Sequence, residues 1–145
     1  MKKSIITENE YRTQIYEYLN RTLECYLVHG TNEHGVDILV KRNDIFNEPR
    51  YVGISVKVGN ITCKELSIIV RQLIISCYYK YSYFEHNLDA VYIVTNGRII
   101  PEARNQISSI NIPYRNIYFI EGTKADKFLN VLNAKYSGEK PKTHE

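Results

Sequence analysis

Asp37, Ser55 and Lys57 are the residues whose types and spacing invite chemistry. Asp37 lies in "GVDILV" and the other two in "GISVKV", both alternating apolar stretches of the kind that forms strands. On a strand successive side chains point to opposite faces, so Val52, Ile54 and Val56 share one face while Gly53, Ser55 and Lys57 share the other. The same rule sets Val36, Ile38 and Val40 apart from Asp37 and Leu39. If "GVDILVKR" and "RYVGISVKV" pair as an antiparallel hairpin across the turn-rich "NDIFNEPR", then Asp37, Ser55 and Lys57 converge on its non-core face. A carboxylate there can hold a divalent cation through hard oxygen ligands. A nearby ammonium can orient a water and stabilise charge developing on a phosphate. That combination suits metal-assisted phosphodiester hydrolysis, whereas the simpler reading of Asp37 and Lys57 is a structural ion pair across the hairpin.

The elements that must hold these residues follow from periodicity. "TENEYRTQIYEYLNRTLECYLVHG" opens with Thr7 and carboxylates and spaces Tyr11, Ile15, Leu19 and Leu23 helically, so it reads as one helix ending at Gly30. "NITCKELSIIVRQLIISCYYKYSY" is a second helix with Thr62 as N-cap and Glu65 closing a capping box. Its stripe of Leu66, Ile69 or Val70, Leu73 and Cys77 is widened by Ile68, Ile74 and Ile75, which implies deep burial or a shared partner surface. "LDAVYIVTNG" reads as a central strand covered on both faces. "IPEARNQISSI" follows as a short helix with Pro101 in its first turn. "RNIYFIEG" is a further strand, and "TKADKFLNVLNAKY" a last helix capped by Thr123.

The order α-β-β-α-β-α-β-α implies an α/β fold with a mixed central sheet flanked by helices. Residues 1–136 read as a single domain and residues 137–145 as a disordered polar tail.

In this order of elements the segment from Tyr11 to Leu132 resembles the PD-(D/E)XK restriction-endonuclease-like superfamily, and within it the Mrr-type catalytic domain. The pieces that carry the resemblance are "HGVDILV", "GISVKVGNIT", the helix bearing "VRQL", "DAVYIVTNGRIIPEARNQ" and "IYFIEGTKADKFL". The resemblance implies a Mg²⁺-dependent endonuclease, with Mn²⁺ as a substitute ion, acting on DNA in a restriction or antiviral-defence setting. It assigns metal binding to Asp37 and the motif lysine to Lys57. Ser55 stands where the family carries glutamate or glutamine, and a hydroxyl is a poor replacement for either oxygen ligand.

That departure raises a second expectation, a catalytically degenerate nuclease fold kept for nucleic-acid binding or oligomerisation. Glu65 is the nearest carboxylate that could compensate, though the capping box accounts for it. The family's first helix often supplies another acid. Among Glu8, Glu10 and Glu17, Glu10 is slightly favoured as a metal ligand, against the helix-dipole role of acids in a first turn. Gln72, Lys64 and Arg71 are candidates for contacts to a nucleic-acid backbone, with Arg98 and Arg104 as further surface cations.

The bulk properties narrow the setting. A formal net charge of +3 and a pI near 8.7 are compatible with a nucleic-acid partner without requiring one. Three cysteines without a Cys-x-x-Cys spacing read as reduced, buried hydrophobes, which argues against a zinc site. His29, Glu33 and His34 flank Asp37, but "HGTNEHG" reads as a polar turn. The aromatic run "CYYKYSYF" carries only Lys80 among its rings and reads as packing at a helix end rather than as a base-stacking platform. "MKKSIITENEYRT" reaches carboxylates before any long apolar run, so neither a signal peptide nor a membrane span is expected and the default address is cytoplasmic. No small-molecule cofactor is implied. A homodimer is left open by the wide apolar face of the second helix.

Overall fold

In the computed structural model, residues 6–28, 35–78, 87–109, 117–122 and 124 are described. The first helix, α1, spans Glu8–Asn20 and starts on a reciprocal cap. The Glu10 N–H donates to Thr7 Oγ1 (3.1 Å) and the Thr7 N–H donates to Glu10 Oε1 (3.0 Å), which satisfies two of the donors that a helix start leaves unpaired. Tyr11, Ile15 and Leu19, one turn apart, are buried against the sheet. Burying an Ile or Leu side chain is worth roughly 1.5–3 kcal/mol, so this face fixes how α1 lies on the sheet.

The helix stops at Asn20 with Arg21 as its C-cap, ten residues short of the Gly30 end read from the sequence. Beyond it Glu24–Leu27 forms a strand, β1. Leu23 and Cys25 both turn toward the α1-side core, and that two-residue alternation overrides the four-residue spacing that also fits a helix. β1 pairs antiparallel with β2 (Ile38–Asn43), setting Glu24 opposite Lys41.

β2 and β3 (Pro49–Lys57) form the expected hairpin, with Ile38 opposite Ile54 and Asn43 opposite Pro49. Asp44 shapes its turn: Oδ1 accepts from the Phe46 and Glu48 N–H groups, while Oδ2 pairs with Arg50. Asn47 adopts the left-handed conformation (φ 62°) that asparagine tolerates better than most residues.

α2 (Cys63–Tyr78) follows, then β4 (Ala90–Thr95), α3 (Pro101–Ser109) and β5 (Ile117–Ile120). α2 starts on the Thr62–Glu65 capping box, and α3 has Pro101 as its first residue. β4 runs parallel to β3 and β5 parallel to β4, giving a mixed five-stranded sheet in the order β1-β2-β3-β4-β5.

The sheet carries a core on each face. Tyr11, Ile15 and Leu19 of α1 pack on Ile38, Val40, Val52, Ile54, Val56 and Val94. Leu66, Ile69, Val70 and Leu73 of α2, with Ala103 of α3, pack on Leu39, Val91 and Ile93. The hairpin face expected to be free is therefore a second core. Gly53 shows how tight it is, since a Cβ there would stand 2.7 Å from Leu88 Cδ1 and 3.2 Å from a Val36 methyl. The expected last helix, the polar tail, the rings beyond Tyr78 and the His29–Glu33–His34 turn lie outside the described residues.

Candidate functional site

Because β2 runs antiparallel to β3, its start lies at the same sheet edge as the end of β3. Asp37 immediately precedes β2 and Lys57 ends β3 beside Thr95, the last residue of β4. This is the carboxyl edge of the parallel strands, where open α/β sheets commonly receive ligands. Thr95 is fully buried and locks the edge: its hydroxyl donates to the Gly59 carbonyl (2.6 Å) and accepts from the Gly97 N–H (3.0 Å).

Asp37 stands at a break in strand alternation. Val36 and Leu39 both enter the α2-side core, while Ile38 and Val40 enter the α1-side core, so Val36 does not share a face with Ile38 as strict alternation predicts. The main chain of Asp37 is held on both sides: its N–H donates to Ile54 O and its carbonyl accepts from the Val28 N–H, each at 2.8 Å. Just before it, Gly35 has φ +81°, and a Cβ there would lie 2.9 Å from Gln72 Oε1. Gln72 thus backs the approach to Asp37.

Each Asp37 carboxylate oxygen has a partner. Oδ2 accepts from the Val56 N–H at 2.7 Å, and Oδ1 lies 3.3 Å from Arg12 Nε. The arginine contact is ionic and lacks the alignment of a hydrogen bond. Burial pushes the Asp37 carboxyl above its ordinary range, outweighing the opposing pull of the Val56 hydrogen bond, Arg12 and Lys57; Glu8 adds to the rise. Lys57 is half-buried and, among the described residues, forms no ion pair. Asp37 is paired with Arg12 rather than with Lys57.

Ser55 is 1% exposed and its Oγ has no hydrogen-bond partner among the described residues. It is a core position. The α1 carboxylates divide: Glu10 is exposed and engaged in the cap, where the Thr7 backbone N–H and then its hydroxyl lower its pKa, whereas Glu8 reaches Arg12. Glu17 is exposed. Glu65 is bound to Thr62 in the second cap. Lys64, Arg71 and Gln72 are exposed on α2, Arg98 is exposed, and Arg104 pairs with Glu121 and covers the Phe119 ring at 5.2 Å.

Sequence reasoning missed Arg12, which is 9% exposed. The signal was present: Arg12, Ile15 and Leu19 follow helical spacing, so the arginine interrupts an apolar stripe. It also stands four residues after Glu8.

A divalent cation was expected at Asp37 and Glu10. The donor set does not fit one. Asp37 already carries a guanidinium, Glu10 and Glu65 are engaged in helix caps, and Ser55 is enclosed in the core. Among the described residues no three His, Cys, Asp or Glu side chains group to hold a metal.

The fold and this edge define a mixed α/β sheet protein with helices on both faces and a part-buried aspartate at the carboxyl edge. No helix among the described residues is long and apolar enough to cross a membrane. No family model and no curated protein matches the chain.

Among solved structures it is similar to the MspJI restriction endonuclease in complex with a 27-mer oligonucleotide, with a TM-score of 0.49 and 12% identity over 96% of this chain and 37% of that one. It is also similar to a repair endonuclease from Pyrococcus abyssi (TM-score 0.46, 13% identity, 83% of this chain and 49% of that one). A third is the DNA modification-dependent restriction endonuclease AspBHI (TM-score 0.44, 9% identity, 93% of this chain and 45% of that one). The chain spans less than half the length of each of these three.

Proposed function

We propose that this chain is a DNA-binding module on a restriction-endonuclease-like scaffold that has lost metal-dependent hydrolysis. The carrying observation is the Arg12–Asp37 pair: a carboxylate that would hold a cation is neutralised by a buried arginine, with Ser55 in place of a second ligand. The positive groups left at this edge and on α2 favour a polyanion. Lys57 is unpaired among the described residues, and Lys64 and Arg71 are exposed. Lys and Arg side chains of this kind contact phosphates without reading sequence.

One observation favours the alternative, Mg²⁺-dependent cleavage of DNA in a restriction or antiviral-defence setting of Mrr type. Lys57 places its charge in the field of Asp37, as a motif lysine would. A homodimer, if formed, has Ile68 and Ile75 available, both about half exposed and two turns apart on α2.

Fluorescence anisotropy of a labelled DNA duplex in EDTA tests the binding reading. Saturable binding is expected, with affinity falling as salt rises, and Lys57→Ala should reduce the salt slope by about 1. Absence of binding to duplex and single-stranded DNA at low salt would rule the reading out.

A further inference from the structure

Arg12 is buried in the interface between α1 and the sheet, where its guanidinium gathers three oxygens from two elements. Nη1 donates to Asn9 Oδ1 at 2.9 Å, Nη2 lies 3.5 Å from Glu8 Oε2 and Nε lies 3.3 Å from Asp37 Oδ1. Helix geometry explains the first two, because residues three and four positions apart lie on one helix face. The third depends on docking: Tyr11, Ile15 and Leu19 bury themselves on the hairpin and carry Arg12 to Asp37.

Glu8, whose side chain is 42% exposed, and Asp37, whose side chain is 14% exposed, both turn a carboxylate to Arg12, and carboxylate oxygens are the donors a hard divalent cation takes. Here a side chain supplies the positive charge instead. A guanidinium is always protonated and weakly hydrated, so it suits a buried, permanent counter-ion better than a lysine does. While it is in place, a second cation at Asp37 meets like charge with little water to screen it.

We infer that Arg12 is a built-in substitute for a divalent cation, and that removing its guanidinium opens a cation site made by Glu8 and Asp37. The inference rests on the reading that the chain does not bind metal at Asp37. Arg12 is a positioning and charge-balancing residue and takes part in no reaction step.

The test is equilibrium dialysis and thermal melting of the full chain with MnCl₂. Wild-type protein is expected to show no Asp37-dependent Mn²⁺ binding and no Mn²⁺-dependent change in melting temperature. Arg12→Gln should bind Mn²⁺ at least tenfold more tightly than wild type and melt higher when it is added. The double variant Arg12→Gln/Asp37→Asn should lose both effects. Arg12→Lys, which keeps a charge, should stay silent to Mn²⁺ like wild type.

If Arg12→Gln is unfolded without metal, the readout is recovery of its native circular dichroism on adding Mn²⁺. Recovery that requires Asp37 supports the inference, and no recovery overturns it. Mn²⁺ binding by wild type that Asp37→Asn abolishes also overturns it, as does a folded Arg12→Gln with wild-type affinity. DNA binding in EDTA is measured separately, so the DNA-binding reading and this inference can fail independently.

Discussion

Arg12 on α1 and Asp37, the residue before β2, are joined by a part-buried ion pair, Nε to Oδ1 at 3.3 Å, that ties the first helix to the carboxyl edge of the sheet. Their side chains are 10% and 14% exposed, so neither charge is well solvated. A charge left alone in such a place is costly, and losing one partner of a buried pair costs more than the pair contributes. Arg12→Ala is expected to destabilise the fold by about 3 kcal/mol, read as a lower urea midpoint. In a double-mutant cycle, Asp37→Asn should recover part of that loss.

The pH dependence of stability has a defined sign at this residue. Burial raises the Asp37 carboxyl above its ordinary 3.8 in the folded chain. Its contribution is therefore fully present below 3.8 and is lost as pH rises through the higher folded value. Urea midpoints of wild type minus Asp37→Asn should fall with pH across that window. A difference that rises instead would mean that Arg12 and the Val56 N–H outweigh burial. Asp44 at the hairpin turn has the opposite sign, because hydrogen bonds from Glu48 and Phe46 and the Arg50 contact lower its pKa. Its contribution is present above 3.8 and is lost as pH falls through the lower folded value.

Ser55 is a sharp test of whether the motif position retains a role. Its buried hydroxyl has no partner among the described residues, and an unsatisfied buried polar group costs about 1–3 kcal/mol. Ser55→Ala should therefore leave stability unchanged or raise it by about 1 kcal/mol, with DNA affinity unaltered. Ser55→Glu would place a carboxylate in the core among Leu39, Ile93 and their neighbours on α2, and is expected to lower the melting temperature sharply.

The α2 cap separates structural from functional carboxylates. Thr62→Ala removes the hydroxyl that accepts from the Glu65 N–H and should cost about 1 kcal/mol. Glu65→Gln keeps an oxygen that can complete the box, so its loss should be smaller. Neither change should alter DNA binding in EDTA, since both act at the helix start.

The hairpin, the Thr62–Glu65 capping box and the Pro101 start of α3 were legible because their signals are local. Turn chemistry, side-chain alternation and a Thr with a Glu three residues on depend on neighbours in the chain. Asp37 and Lys57 lie at the same end of the hairpin because its strands pair antiparallel, whereas the free face on which they were expected to meet Ser55 is a second core. β1 was hidden because Leu19 and Leu23 continue the spacing of α1, while the competing alternation of Leu23 and Cys25 is short. The second core on the hairpin was hidden because a serine and a lysine on that face read as solvent-facing. Only the docking of α2 decides that Ser55 is enclosed and that Lys57, one step further along, is at the rim. Arg12 left a signal, since it stands within the apolar stripe of α1, but only the lie of α1 on the sheet shows that its guanidinium is covered.

Loss of cleavage with retention of DNA binding is tested most directly by incubating supercoiled plasmid with the purified chain in Mn²⁺ and, separately, in Mg²⁺. Binding is followed by gel shift and strand breaks by conversion to open-circular DNA. A shifted but intact supercoiled plasmid is expected, with wild type and Lys57→Ala alike in producing no nicks. Metal-dependent nicking by wild type that Lys57→Ala and Asp37→Asn each abolish would contradict the loss of cleavage.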